Sequence, residues 1–166
     1  MQTSGLSHAS GSDLPRGPAR PYLITLEAGS SGACAGQQII LASQAGSARE
    51  AREFTMAALR AWRLGTMADA AMIVVSELVT NAIVHGSCHD ADADEPGQVV
   101  LALHRAGDRV TIIATDGNAN PPVLAVPPDP SAESGRGLSV VDALAEQWGW
   151  TRLGVAAKAV WATLCL

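Results

Sequence analysis

Glu77, Asn81 and His85 stand at four-residue intervals inside an otherwise apolar stretch that includes Ile73, Val74, Val75, Leu78, Val79, Ile83 and Val84. At helical pitch the three fall within a stripe about 80° wide. An ionised carboxylate in such surroundings costs several kcal/mol unless it faces water, a metal, a ligand or a hydrogen-bonded cluster, on the order of the desolvation of one buried charge. The stripe therefore offers either a ligand site or a structural polar network, and a second motif elsewhere has to decide between them.

Further residues able to do chemistry follow in order. Asp116 ends the apolar run from Val110 to Thr115, where a carboxylate can accept from an exocyclic amine, although Asp-Gly is also a common turn pair. Gly135-Arg136-Gly137 opens a helical pattern, and glycines at a helix N-terminus let backbone N–H groups approach a phosphate; a flexible entry turn would have the same residues. The start Asp116-x-Asn118-x-Asn120 imitates a calcium loop but meets Pro121 and Pro127 where such a loop needs glycine and glutamate. A dinucleotide fingerprint fails because Val140 replaces its third glycine. No Gly-Lys-Ser/Thr sequence exists, so a P-loop is excluded. His85, Cys88 and His89 lack a placed fourth ligand and are weak grounds for zinc.

Taken together, Glu77-Leu78-Val79-Thr80-Asn81-Ala82 with His85, then Thr115-Asp116-Gly117, Gly135-Arg136-Gly137-Leu138 and Lys158-Ala159-Val160-Trp161 resemble the successive boxes of the GHKL ATPases. Within that superfamily the chain is most similar to the small bacterial anti-sigma regulatory factors, serine kinases that bind and phosphorylate anti-anti-sigma proteins, and to the stand-alone ATP-binding regulators of actinomycetes. The resemblance runs from about residue 36 to 166. It implies a Bergerat-type fold, ATP and Mg2+ as cofactors, and phosphoryl transfer to a protein serine or threonine.

By the same resemblance Glu77 is the base, Asn81 the magnesium ligand, and Asp116 with Gly117 the adenine contact. Gly135, Arg136, Gly137 and Leu138 would cradle the phosphates, with Arg136 either pairing with an oxygen or facing solvent. Lys158 matches the lysine of a closing Gly-Lys pair whose glycine is Ala157 here, and Thr163 either lines the base pocket or serves β-propensity alone. Asn118 and Asn120 stand where the family has glycines; asparagine tolerates a left-handed backbone, which would preserve the turn. The partners implied are a sigma factor, an anti-anti-sigma protein, or both, and a second copy of the chain as a homodimer. A nucleotide-dependent binding module without kinase activity and a scaffold with a vestigial site are the alternative readings.

The elements that must position these residues can be read from pattern. Gln37 to Ala42 is a short apolar strand, and Ser47-Ala48-Arg49-Glu50 has the form of a capping box opening a helix over about 47 to 63. The stripe-bearing helix spans about 67 to 86 and closes at Gly86 as a C-terminal cap. After an acidic loop at 87 to 97, strands over 98–105 and 109–115 flank the turn Ala106-Gly107-Asp108. Beyond a stiff Pro-rich segment at 121 to 130, placed like an ATP lid, come a helix over 137–147 and a hairpin of 148–153 with 157–166. That order describes an α+β, two-layer sandwich: a mixed, mostly antiparallel sheet with helices on one face.

Composition agrees with one small domain. At 166 residues, 48% apolar and 16% charged, the chain can bury a core, built chiefly from Val, Leu, Ile and Ala because aromatics are few. A net charge of −5 with no Lys/Arg run argues against direct nucleic-acid binding. Cys34, Cys88 and Cys165 lie far apart and form no Cys-x-x-Cys pair, so reduced cysteines are expected. Residues 1 to 34, rich in Ser, Gly, Ala and Pro, read as a flexible tail before a domain over 35–166. No apolar signal region and no stretch approaching membrane-spanning length is apparent, which implies a cytoplasmic protein.

Overall fold

A computed structural model of the chain describes residues 34–86, 97–122 and 137–166. The predicted tail before Cys34, most of the acidic loop with Cys88 and His89, and the greater part of the Pro-rich segment with Gly135 and Arg136 lie outside the described residues. Strand β1 (Cys34–Ala42) is followed by α1 (Ser47–Ala61), a 3-10 turn (Gly65–Met67) and the long α2 (Ala68–Gly86). Then come β2 (Gln98–Ala106), β3 (Arg109–Asp116), α3 (Gly137–Leu144), β4 (Gln147–Leu153) and β5 (Ala157–Cys165). The strands form one sheet in the order β1-β2-β3-β5-β4, with every described pairing antiparallel.

Period-two alternation decides what each face carries. Leu101 and Leu103 of β2, Val110, Ile112 and Ala114 of β3, and Val160, Ala162 and Leu164 of β5 join the helices in one core. Their register partners share that face: Leu103 lies opposite Ile112, and Ile112 opposite Ala162. From α2, Val74, Val75, Leu78 and Val79 are sealed against the sheet, each removal from water worth about 1.5–3 kcal/mol. The result is the expected α+β two-layer fold with helices on one face.

Several local expectations are corrected. No capping box forms at α1: its N-cap is Gly46 with no side-chain cap, and buried Ser47 Oγ donates instead to the Ala42 carbonyl at 2.6 Å. The first strand begins three residues before Gln37, and α1 ends at Ala61 with Arg63 turning left-handed at φ 59°. The third helix stops at Leu144, because Gln147 joins β4 opposite Thr163. The segment Gly65–Gly86, with a mean hydropathy of 1.6 over its best window, is long and apolar enough to cross a membrane, contrary to the sequence expectation; its buried residues form part of the core.

At the end of the sheet remote from the stripe, Arg109 Nε and Nη2 donate to both oxygens of Glu146 at 2.8 and 3.0 Å, tying the start of β3 to the turn before β4. The hydrogen bond from Arg109 holds the Glu146 carboxyl below the ordinary glutamate range. Since the folded value lies below the unfolded one, the stabilisation is present at neutral pH and is lost as pH falls through the folded value. Both groups are exposed, so salt weakens the pair. NMR titration should place the Glu146 midpoint below that of free glutamate and move it up in Arg109→Ala. The same midpoint in both proteins would mean that the pair does not persist in solution.

Candidate functional site

A cavity of about 280 Å³ opens between α2, α3 and the ends of β3 and β5, close to the lower end of ligand-binding cavities, which run to about 1,000 Å³. Its walls are unequal. Leu78, Ala82, Ala114 and Val160 are apolar and sit between two polar ends. At one end Asp116 and Lys158 line the floor; at the other Asn81 meets the first turn of α3 at Gly137 and Leu138.

Asp116 and Lys158 are opposite residues of β3 and β5, on the core face, each 4% exposed. Lys158 Nζ donates to Asp116 Oδ1 at 2.9 Å and to the Asn118 carbonyl at 3.1 Å. The lysine of the closing strand thus lies at the floor beside the aspartate. Gly86 makes this packing possible: a Cβ there would overlap Asp116 Cβ and come within 2.7 Å of its Cγ. This replaces the expected role of Gly86 as a C-terminal cap, for only Gly107 and Gly154 among the described glycines have positive φ.

The opposite end is equally close. A Cβ on Gly137 would stand 2.5 Å from Glu77 Oε2 and 3.2 Å from Asn81 Nδ2, so the α3 backbone reaches both polar side chains only because residue 137 is glycine. Glu77 and Asn81 are half-buried and His85 is exposed, so the stripe is not sunk in the core. Its neighbours Ile73 and Val84 are also partly exposed, at 43% and 62%.

Of the residues singled out from sequence, Asn81, Asp116, Gly137, Leu138 and Lys158 line the one cavity, Glu77 abuts it through Gly137, and Gly117 follows Asp116 directly. Gly135 and Arg136 lie outside the described residues. Thr163 is not brought there: it faces away from the helices, its Oγ1 2.9 Å from that of its register partner Thr111. Among the described residues no cluster of three His, Cys, Asp or Glu side chains could hold a metal.

Sequence reasoning undervalued Asn118. Its N–H donates to Asp116 Oδ1 at 2.9 Å, its Nδ2 to the His85 carbonyl at 2.6 Å, and its Oδ1 accepts from Asn120 N–H at 2.9 Å. With the bond from Lys158, its backbone and side-chain polar groups join β3, β5 and the end of α2. Neither Asn118 nor Asn120 adopts the left-handed backbone considered for them; two successive Asx turns shape the loop instead. His85, Asn120, Pro121 and Pro122 also line the cavity, and the available signal for Asn118 was its Asx-turn chemistry.

A two-layer α+β domain with an apolar-walled, polar-ended cavity beneath its longest helix has the build of a small-ligand-binding domain. The sequence matches the histidine kinase-like ATPase domain family over residues 41–164, and the chain belongs to that family. Among solved structures it is similar to that of the RsbU and RsbW domains of Rv1364c from Mycobacterium tuberculosis, at 23% identity and a TM-score of 0.54. The match covers 80% of this chain but 32% of the other, so the chain spans about a third of that structure. No curated protein matches the sequence.

Proposed function

We propose that the protein is an ATP-binding regulator of the anti-sigma factor type, acting as a serine/threonine kinase on an anti-anti-sigma partner. The carrying observation is that one cavity joins a carboxylate-bearing floor, Asp116, to a carboxamide, Asn81, set against the glycine that opens α3. Family membership and the RsbW-containing neighbour support the reading. A sigma factor as second partner, homodimerisation, a cytoplasmic location and the absence of nucleic-acid or membrane contact belong to it as well.

The donor set fits a magnesium nucleotide. Asn81 offers an amide oxygen of the kind a hard cation prefers, and Gly137 lets the backbone that opens α3 come against Glu77 and Asn81, where N–H groups of a helix N-terminus would meet phosphate oxygens. Bound magnesium ATP would supply an activated phosphoryl group and neutralise its charge. The chain's own residues do the rest. Asp116 with Gly117 orients the base, Leu138 with Gly137, Gly135 and Arg136 holds the phosphate end, and Glu77 takes the proton of the acceptor hydroxyl.

Calorimetric titration with ATP, with and without magnesium, tests the site. Magnesium-dependent binding should fall at least about tenfold in Asn81→Ala, the loss of one oxygen ligand. Glu77→Ala should keep binding yet lower transfer of labelled γ-phosphate by about 10²–10⁴; equal transfer by the mutant would remove Glu77 from the role of base. Binding without transfer by the wild type would favour a nucleotide-dependent binding module, a reading supported by Ala157 in place of the family glycine. No binding at millimolar ATP would leave a vestigial-site scaffold.

A further inference from the structure

Asp116 commits one carboxylate oxygen to the fold and leaves the other to the cavity. Asn118 N–H and Lys158 Nζ both donate to Oδ1, each at 2.9 Å. Oδ2 takes no hydrogen bond among the described residues. No buried side-chain oxygen or nitrogen there lacks a partner, so Oδ2 is not sealed, and the cavity that Asp116 lines is its opening. Two donors on one oxygen restrain the carboxylate, and a restrained acceptor loses less orientational freedom when a ligand binds than a free one.

Asn118 relates this carboxylate to the helix that carries the rest of the stripe. Its carbonyl accepts from Lys158 Nζ at 3.1 Å, and its side-chain Nδ2 donates to the His85 carbonyl at 2.6 Å. The last four carbonyls of an α-helix have no partner within it. His85 stands next to the end of α2, so its carbonyl is satisfied from the loop after β3 rather than by its own helix. The amide can face only one way there: Oδ1 accepts from Asn120 N–H at 2.9 Å, which turns the nitrogen to His85. Asn81 lies about one turn before His85 on the same helix. One residue thus holds Asp116 and fixes where it stands relative to Asn81.

Resting on the reading of the cavity as a nucleotide site, we propose that Asn118 is a positioning residue, which ties Asp116 to the end of α2 and so aims Oδ2 at the 6-amino group of adenine while Asn81 meets the triphosphate. The glycine of the resembling boxes would keep both backbone bonds of residue 118 but lose the tie to α2.

The test is calorimetric titration of the full chain with magnesium and either ATP or purine riboside triphosphate, which carries hydrogen in place of the 6-amino group. The wild type should bind ATP at least about tenfold more tightly, the worth of one hydrogen bond to a charged group. Asn118→Asp keeps the size of the side chain, both backbone bonds and the acceptor for Asn120 N–H, but sets an oxygen against the His85 carbonyl. Its preference for ATP should be at least about threefold smaller than that of the wild type. Lost stability alone weakens both nucleotides by the same factor, so an unchanged preference overturns the positioning role. Asn118→Gly should lower the preference in the same direction and carries the test if the aspartate variant does not fold. Equal binding of the two nucleotides by the wild type would overturn the inference and leave the nucleotide reading standing. Failure of both to bind would overturn that reading itself.

Discussion

Lys158→Met is expected to lower the unfolding free energy by about 3–5 kcal/mol, the usual consequence of leaving one partner of a buried ion pair without the other. The variant would strand Asp116, 4% exposed, and free the Asn118 carbonyl from its tie to β5. A small domain has only about 5–15 kcal/mol in total, so this loss is a large fraction. The pair itself is not thereby a large net stabiliser, because desolvating both ions offsets their attraction. Asp116→Leu combined with Lys158→Met should accordingly recover most of the loss while forfeiting the polar floor of the cavity. Urea denaturation of the wild type and both variants measures the difference. A single variant within about 1 kcal/mol of the wild type would mean that the two groups are solvated rather than buried as a pair. If the double variant recovers stability and loses nucleotide, the ions are retained for the site and not for the fold.

What the sequence made legible was periodic. Polar residues at 77, 81 and 85 in an apolar helix located α2 and its stripe, and alternation around Gly107 and Gly154, at φ 65° and 67°, located both hairpins. Signals with a local grammar but a tertiary answer were misread. Ser47 has the sequence of a cap, yet its hydroxyl is claimed by the Ala42 carbonyl across the turn from β1. The apolar run through Ala145 continues the helical pattern, but Gln147 is drawn into the sheet by its pairing with Thr163.

The misplacement of Thr163 was avoidable. It lies five residues from Lys158 on one strand, an odd interval, so period-two alternation alone puts the two on opposite faces. Asn118 stands where the family has a glycine, yet its side chain makes hydrogen bonds that a glycine cannot, to the His85 carbonyl and from Asn120 N–H. The floor pair was beyond local reasoning, since nothing near Lys158 in sequence says that register sets it opposite Asp116.

Gly86→Ala sets two magnitudes against each other. Helix propensity alone favours alanine over glycine inside a helix by about 0.5–1 kcal/mol, and position 86 is the last residue of α2 with an ordinary backbone. Against that, the new methyl would overlap Asp116 Cβ and stand 2.7 Å from Cγ, with Oδ1 at 3.1 Å. Neither the strand backbone nor a carboxylate fixed by Lys158 can yield cheaply, and overpacking of this kind costs about 1–3 kcal/mol. The clash should win, giving net destabilisation in urea denaturation and at least about a tenfold loss of ATP affinity, because Asp116 shifts from the cavity floor. Gly65→Ala is the matched control: nothing lies within 4 Å of a Cβ there, so both measurements should hardly change. A Gly86→Ala protein as stable as the wild type and with equal affinity would show that α2 and β3 do not approach this closely, and Asp116 would lose its standing as a positioned residue.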